Sequence, residues 1–273
     1  MTLVLALAAL AVPASPSDAE QERFLAKARV VETQPAPGGI THSKRITLSD
    51  GNLTHDAHLQ RINRDKARDF NLSALKANFV DSWRGNVAAY RLDRMLGLGM
   101  TPVSIERRIG GVTGAVTWWV DEVLMSGAEL HRTGTKAPDP DHWRKQNELM
   151  RIFDALIANP DRNTNNMLVT RNWELKLIDH TRAFRWNNEL EHPQRVTRCS
   201  RSLFAALKAL DRAGIRRTMD SLITGWQVDA LLARRDAIVA RLEQLIAERG
   251  EADVLFDFEP GTVLVSLNPA GAD

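Results

Sequence analysis

The sequence predicts an α+β fold with two lobes, a β-rich lobe that carries one helix and, after it, a helical lobe. Short and partly alternating apolar segments, separated by turn residues, fill the first half of the chain. Longer segments with helical periodicity fill the second half. Within the second half, a polar loop follows a buried helix and leads into a short hairpin, at residues 157–184.

Length and composition are those of a folded globular protein. The 273 residues suffice for two small lobes around a sizeable core, with 44% hydrophobic and 26% charged residues. The formal net charge is only +2, and Lys and Arg alternate with acids without interleaved aromatic residues. We therefore expect no nucleic-acid partner.

The first 19 residues are typical of a secretory signal peptide or a hydrophobic leader. The ten apolar residues from Leu3 to Val12 are too few to span a bilayer, and cleavage after Ala14 or Ala19 fits the small residues there. We expect an exported protein, periplasmic or secreted, without a transmembrane span in the mature chain, or a cytoplasmic protein if the leader is not a signal. Cys199 is the only cysteine, so the chain has no internal disulfide.

The β-rich lobe is predicted to cover residues 20–125. Its helix lies at about 82–96, and the Gly110-Gly111 turn joins two further strands into a hairpin. The strands before that helix are predicted at 28–33, 43–48 and 55–62.

The helical lobe is predicted to cover residues 126–253, followed by a tail at 254–273. Asp141 is the expected N-cap of its first helix, which ends at Asn159-Pro160 because proline cannot continue the hydrogen-bond ladder. Later helices are predicted at about 201–213 and 226–248.

The loop and hairpin between 157 and 184 place three polar residues around one short strand. Asn166 follows Asp161 by five residues, and Asp179 ends the next strand thirteen residues later. Carboxylate and amide oxygens suit Mg²⁺, and an aspartate at the loop can accept a proton from an incoming hydroxyl. This spacing is the kinase layout for phosphoryl transfer, with one base and two metal ligands.

The segments "DRNTNNMLV" and "LKLIDHTRAF" resemble the catalytic and metal-binding segments of the atypical kinases. These include phosphatidylinositol 3- and 4-kinases, the persistence-toxin kinase and the secretory-pathway casein kinases. The segments "NVAAYRLDRMLGLGMTPVSIER" and "GAVTWWV" resemble their upper-lobe helix and hairpin, especially in uncharacterised bacterial members. The resemblance implies a bilobed kinase-like fold, ATP with Mg²⁺ or Mn²⁺, Asp161 as the catalytic aspartate, and Asn166 and Asp179 as metal ligands.

The same resemblance assigns the nucleotide-binding residues. Gly38 and Gly39 lie where the family has its phosphate-covering loop, and Trp119 and Val120 lie in the hinge beside the adenine. Lys66 is the lysine nearest to the position of the phosphate-binding lysine.

Two positions depart from the family pattern. Gln60 stands where the phosphate-binding lysine is expected, and Asn86 stands where its glutamate partner is expected. These departures leave open a phosphotransferase and a pseudokinase that binds nucleotide or protein. A protein AMPylase, which uses the same site with the nucleotide inverted, is the third possibility. The acceptor stays equally open between a protein, a glycan, a lipid and a small molecule.

Overall fold

The computed structural model describes residues 15–36, 43–65 and 79–258. Its strands are β1 Arg29–Pro35, β2 Lys44–Ser49, β3 Thr54–Gln60, β4 Asn63–Asp65, β5 Val80–Ser82, β6 Ser104–Ile109, β7 Val112–Trp118, β8 Val123–Ser126, β9 Met167–Thr170, β10 Leu175–Leu177, β11 Cys199–Ser200 and β12 Leu255–Phe256. Its helices are α1 Asp18–Lys27, α2 Arg84–Met95, α3 Gly127–Thr133, α4 Pro140–Leu156, α5 Arg201–Ala209, α6 Arg212–Met219, α7 Gly225–Arg249 and α8 Glu251–Val254.

The N-terminal region is built on a five-stranded antiparallel sheet with the order β1-β2-β3-β7-β6. Side chains alternate across this sheet, as the period of two requires. Ala57 and Leu59 of β3 are buried in the core with Phe24 of α1, whereas His58 and Gln60 take the alternate positions on the opposite face. The predicted strands are present, with boundaries shifted by one or two residues.

Helix α1 is an element that we did not predict. It begins after Ser17, which forms a capping box with Glu20, and it buries Phe24 and Leu25 against the sheet. Ala19 lies inside this helix, so cleavage there would remove the cap, whereas cleavage after Ala14 would keep it. Residues 1–14 lie outside the described ranges, and the leader stays a prediction.

The C-terminal region packs its helices around one hydrophobic core. Phe153 and Leu156 of α4 and Leu231 and Ile238 of α7 are fully buried in it. Asp139, and not Asp141, caps α4, because its carboxylate accepts from the backbone N–H groups of residues 141 and 142 at 3.0 and 2.9 Å. Pro140 thereby occupies the first helical turn, where its missing N–H costs nothing.

Two further differences concern the last hundred residues. The single helix predicted at 201–213 is two helices, α5 and α6, because Asp211 caps a new helix through the N–H of Gly214 at 2.6 Å. Val254 is buried and β12 pairs in parallel with β11, so the chain is still part of the fold at Phe256. None of the helices in the described ranges is long and apolar enough to cross a membrane.

Helix α2 is packed directly on the segment that follows Asp179. A Cβ atom added at Gly85 would lie 2.2 Å from the carbonyl oxygen of His180, and the backbone N–H of Ser82 donates to the carbonyl of Thr181 at 2.8 Å. Only glycine allows this approach.

We expect Gly85→Ala to destabilise the protein by about 2–3 kcal/mol, because the added methyl group meets backbone that cannot rotate away. Urea denaturation measures this change. Gly225→Ala is the matched control, since Gly225 also lies in the first turn of a helix and its added Cβ would be 3.7 Å from the end of the Arg216 side chain. If both variants are equally stable, the close contact is unimportant.

Candidate active site

The loop after α4 carries the first two predicted site residues. Asp161 lies in this loop, and Asn166 ends a 3₁₀ turn, Thr164–Asn166, that leads directly into β9. The side chain of Asn163 caps the turn by accepting from the N–H of Asn165 at 2.9 Å. Asn163 therefore has a structural role as the cap, and Asn166 lies directly before the first strand of the hairpin.

Asp179 follows the paired strand β10, and the hairpin brings it beside Asn166. The N–H of Ile178, the residue before Asp179, donates to the carbonyl of Asn166 at 3.1 Å. The side-chain amide of Asn166 donates to the carbonyl of Asp161 at 3.1 Å. Hydrogen bonds thus connect Asp161, Asn166 and the residue before Asp179.

Arg162 has a buried side chain and contacts several groups of this region. Its side chain is 8% exposed and forms an ion pair with Asp154 at 3.0 Å. One guanidinium nitrogen also donates to the carbonyls of Asn166 and Ile178 at 2.7 and 2.8 Å, and another contacts Nε2 of His180 at 2.8 Å. These contacts satisfy Arg162 inside the protein, so it positions the loop and does not face a ligand.

The backbone at Asp179 is in the left-handed region, with φ of 54°. Aspartate and asparagine tolerate this conformation better than most residues. The hydroxyl of Thr181 donates to Oδ1 of Asp179 at 3.1 Å, which helps to orient the carboxylate. Such backbone conformations concentrate at functional sites and suit a carboxylate with a fixed direction.

Asn86 anchors α2 to the same segment. Its side-chain oxygen accepts from the backbone N–H of His180 at 2.7 Å, and the side chain is buried. Asn86, which stands where a glutamate partner of the phosphate-binding lysine is expected, therefore binds a backbone group. This contact connects helix α2 with the residue after Asp179.

Gln60 also contacts backbone groups. Its side-chain oxygen accepts from the N–H groups of Arg61 and Ile62 at 2.9 and 3.0 Å. Its side chain carries no charge and turns toward its own strand end. The other predicted phosphate-binding residues, Lys66, Gly38 and Gly39, lie outside the described residues.

Solved kinase structures share this architecture. Fam20 from hydra, in a structure with sugar, has a TM-score of 0.64 at 17% identity, with 93% of this chain and 96% of that chain covered. The Golgi casein kinase with Mn/ADP bound has 0.62 at 14% identity, covering 87% and 78%. The Helicobacter pylori proinflammatory kinase CtkA has 0.53 at 10% identity, covering 83% and 97%. No protein-family model and no curated protein sequence matches the chain.

The chain has the fold of an atypical kinase. This finding confirms the bilobed α+β fold that the resemblance implied. Trp119 and Val120, the residues predicted for the hinge, lie between β7 and β8. The N–H of Trp119 donates to the carbonyl of Asp56 at 3.2 Å, and the guanidinium carbon of Arg45 lies 4.6 Å from the Trp119 ring centroid. Strand β8 then pairs with β9, which begins directly after Asn166.

Two histidines outside the predicted site residues are close to Asp179. His180 is the next residue in the chain, and His58 is near enough for the Asp179 carboxylate to affect its pKa. Burial and the adjacent Arg162 guanidinium lower the pKa of His180 well below its usual value. Burial also lowers the pKa of His58, although the nearby Asp179 carboxylate acts in the opposite direction. Position 58 has a sequence signal, because it shares the alternate face of β3 with Gln60. Both rings are held neutral and add no positive charge to the site.

The donor set fits a hard divalent cation that is completed by phosphate oxygens. Asp179 offers a carboxylate, and the Asn166 amide donates through its nitrogen, which leaves its oxygen as a ligand. Mg²⁺ commonly takes one or two carboxylates from protein and the rest of its oxygens from phosphate and water. Over the three described ranges, no group of three or more His, Cys, Asp and Glu side chains is arranged to hold a metal ion by itself. Cys199 is buried, and burial raises the pKa of its thiol to about 12, so it is not an activated nucleophile.

Proposed function

We propose that the protein is an ATP- and metal-dependent phosphotransferase. The observation that carries the proposal is the hydrogen-bonded path from Asp161 through Asn166 to the residue before Asp179, within a kinase-like fold. A scaffold that only binds a partner has no need for all three side chains in this arrangement. The Golgi casein kinase structure with Mn/ADP bound supports nucleotide and a divalent metal as the natural ligands to test.

The roles follow from the chemistry of each group. Asp161 accepts the proton of the acceptor hydroxyl, whose oxygen bonds to the γ-phosphorus of ATP while the bond to the β,γ-bridging oxygen breaks and ADP leaves with that electron pair. Asp179 and Asn166 would hold Mg²⁺ or Mn²⁺, which supplies charge neutralisation at the phosphates. Trp119 and Val120 line the hinge for the adenine, while Gly38, Gly39 and Lys66 stay predictions for the phosphates.

A pseudokinase is the second candidate, and two observations favour it. Gln60 and Asn86 are both uncharged and both hydrogen-bonded to backbone, so neither supplies the usual upper-lobe ion pair. Binding of ATP without transfer to any acceptor, and without hydrolysis, would establish this function in place of the first.

The acceptor class and the group transferred are decided by mass analysis. The structure of hydra Fam20 with sugar makes glycans the first acceptors to test, and the Golgi casein kinase makes protein hydroxyls the second. Lipids and small molecules stay open. Incubation with ATP and Mn²⁺ should add one phosphoryl group to the acceptor, whereas addition of a nucleoside monophosphate would instead identify an AMPylase.

We expect Asp161→Asn to keep metal-dependent nucleotide binding but to lower transfer by about 10²–10⁴-fold, because it removes only the proton acceptor. Calorimetry with ADP and Mn²⁺ measures binding, and labelled ATP with a lysate of the source cell measures transfer. Asp220→Asn is the matched control, since Asp220 is also paired with an arginine, Arg216 at 2.7 Å, on helix α6. Loss of nucleotide binding in Asp161→Asn would contradict this division of roles.

Export is part of the proposal and rests on the apolar stretch near the N-terminus. N-terminal sequencing of protein recovered outside the cytoplasm tests it, with Ser15 as the expected first residue because this start keeps the Ser17 cap of α1.

A further inference from the structure

The polar contact that distinguishes Asp161 from Asn166 and Asp179 is an ion pair with Arg182. A guanidinium nitrogen of Arg182 lies 3.2 Å from Oδ2 of Asp161. The side chains are 38% and 33% exposed, so both reach solvent. Arg182 follows Asp179 by three residues, so a positive charge that contacts the proposed base comes from the segment of the proposed metal ligand.

Arg162 and Arg182 differ in how fully they are engaged. Arg162 is buried and is bound to a carboxylate, two backbone carbonyls and a histidine. Among the described residues, the ion pair with Asp161 is the one polar contact of the Arg182 guanidinium. Arginine has five N–H donors in a planar fork that matches phosphate oxygens, so most of this capacity is available to a ligand.

The upper lobe gives a reason for a cation at this place. Gln60 and Asn86 carry no charge, and both side chains are hydrogen-bonded to backbone groups. Transfer of a phosphoryl group spreads negative charge over three equatorial oxygens, and preorganised positive charge is the main source of its catalysis.

We propose that Arg182 is a further catalytic residue, which leaves Asp161 and binds the transferred phosphoryl group during the reaction. This inference rests on the proposed function. In the resting protein the ion pair keeps the guanidinium at the site. When an acceptor hydroxyl takes its place on Asp161, Arg182 turns to the γ-phosphoryl oxygens and stabilises their charge.

The test compares binding of ADP with binding of ADP plus aluminium fluoride, both with Mg²⁺. The fluoride complex imitates the phosphoryl group in transfer, whereas ADP alone lacks it. We expect wild type to bind ADP–aluminium fluoride more tightly than ADP. Arg182→Met should bind ADP like wild type but lose about 10²–10³-fold in affinity for the fluoride complex and in kcat, with the KM for ATP nearly unchanged.

Two variants sharpen the comparison. Arg182→Lys should recover only part of the loss, because an ammonium group keeps the charge without the fork. Arg216→Met is the matched control, since Arg216 is 45% exposed and paired with Asp220, and it should behave like wild type.

The possible failures are distinguishable. If wild type binds no nucleotide with Mg²⁺, the proposed function itself is wrong and the role of Arg182 falls with it. If wild type binds ADP but has no preference for the fluoride complex, the protein is a pseudokinase and Arg182 is not catalytic. If wild type prefers the fluoride complex and Arg182→Met keeps that preference, the phosphotransferase stands and Arg182 is only a surface partner of Asp161.

Discussion

Asp179→Asn is expected to abolish metal-dependent nucleotide binding and phosphoryl transfer. The substitution removes the one carboxylate charge that we assign to the metal, and the loss should exceed the about 10–100-fold that follows removal of a group that merely orients a metal ligand. Asparagine is the right replacement because the backbone at position 179 has φ of 54°, which asparagine adopts as readily as aspartate. Alanine there would add backbone strain to the loss of the ligand.

Titration of Mn²⁺ against protein with and without ADP measures this effect, and thermal melting checks that the fold is retained. Asp257→Asn is the matched control, since the Asp257 side chain is 93% exposed and belongs to the other end of the chain. If Asp179→Asn binds Mn²⁺ and ADP as well as wild type does, Asp179 is not a metal ligand and the site assignment is wrong.

Asp93→Ala is expected to produce the largest loss of stability. The Asp93 side chain is fully buried at the end of α2, where its carboxylate accepts from the N–H groups of Gly99, Met100 and Thr101, each at 2.9 Å, and pairs with Arg94. Its removal leaves the buried N–H groups of Met100 and Thr101 and the partly buried one of Gly99 without this partner, and we expect the free energy of unfolding to fall by about 3–5 kcal/mol.

Denaturation in urea measures this loss, and Asp18→Ala is the control. Asp18 pairs with the same arginine but is 46% exposed, so its removal should cost at most about 1 kcal/mol. The loop at 99–101 also reaches the strand before Asp179, because the N–H of Leu177 donates to the carbonyl of Met100 at 2.9 Å. Asp93→Ala should therefore weaken nucleotide binding as well. Equal stabilities of the two variants would show that the loop does not depend on Asp93.

Local patterns in the sequence determined much of the secondary structure. The β2–β3 and β6–β7 hairpins follow from alternation and from turn residues such as Gly110-Gly111, and α4 follows from its apolar stripe and ends before Pro160. These signals act within a few residues, so they are readable without knowledge of the fold. The cap of α4 was misassigned by two residues because Asp139 and Asp141 flank the same proline and both suit an N-cap.

The candidate site could also be predicted from the sequence only in part. The spacing of Asp161, Asn166 and Asp179 is visible in the sequence, because one hairpin joins the last two and a short loop joins the first two. The ion pair of Asp161 with Arg182 joins residues 21 positions apart, and the hydrogen bond of Asn86 with His180 joins residues 94 positions apart. Both contacts depend on how separate elements pack.

Only the structure decided what the departures from the kinase pattern do, through a local contact at Gln60 and a tertiary contact at Asn86. In the sequence, Gln60 and Asn86 read only as missing charges, whereas in the fold both bind backbone groups. The physical reason is that a buried amide must satisfy its hydrogen bonds with whatever the fold brings within reach. For Asn86 that partner is the N–H of His180, which reaches it because Gly85 lets α2 approach the segment after Asp179.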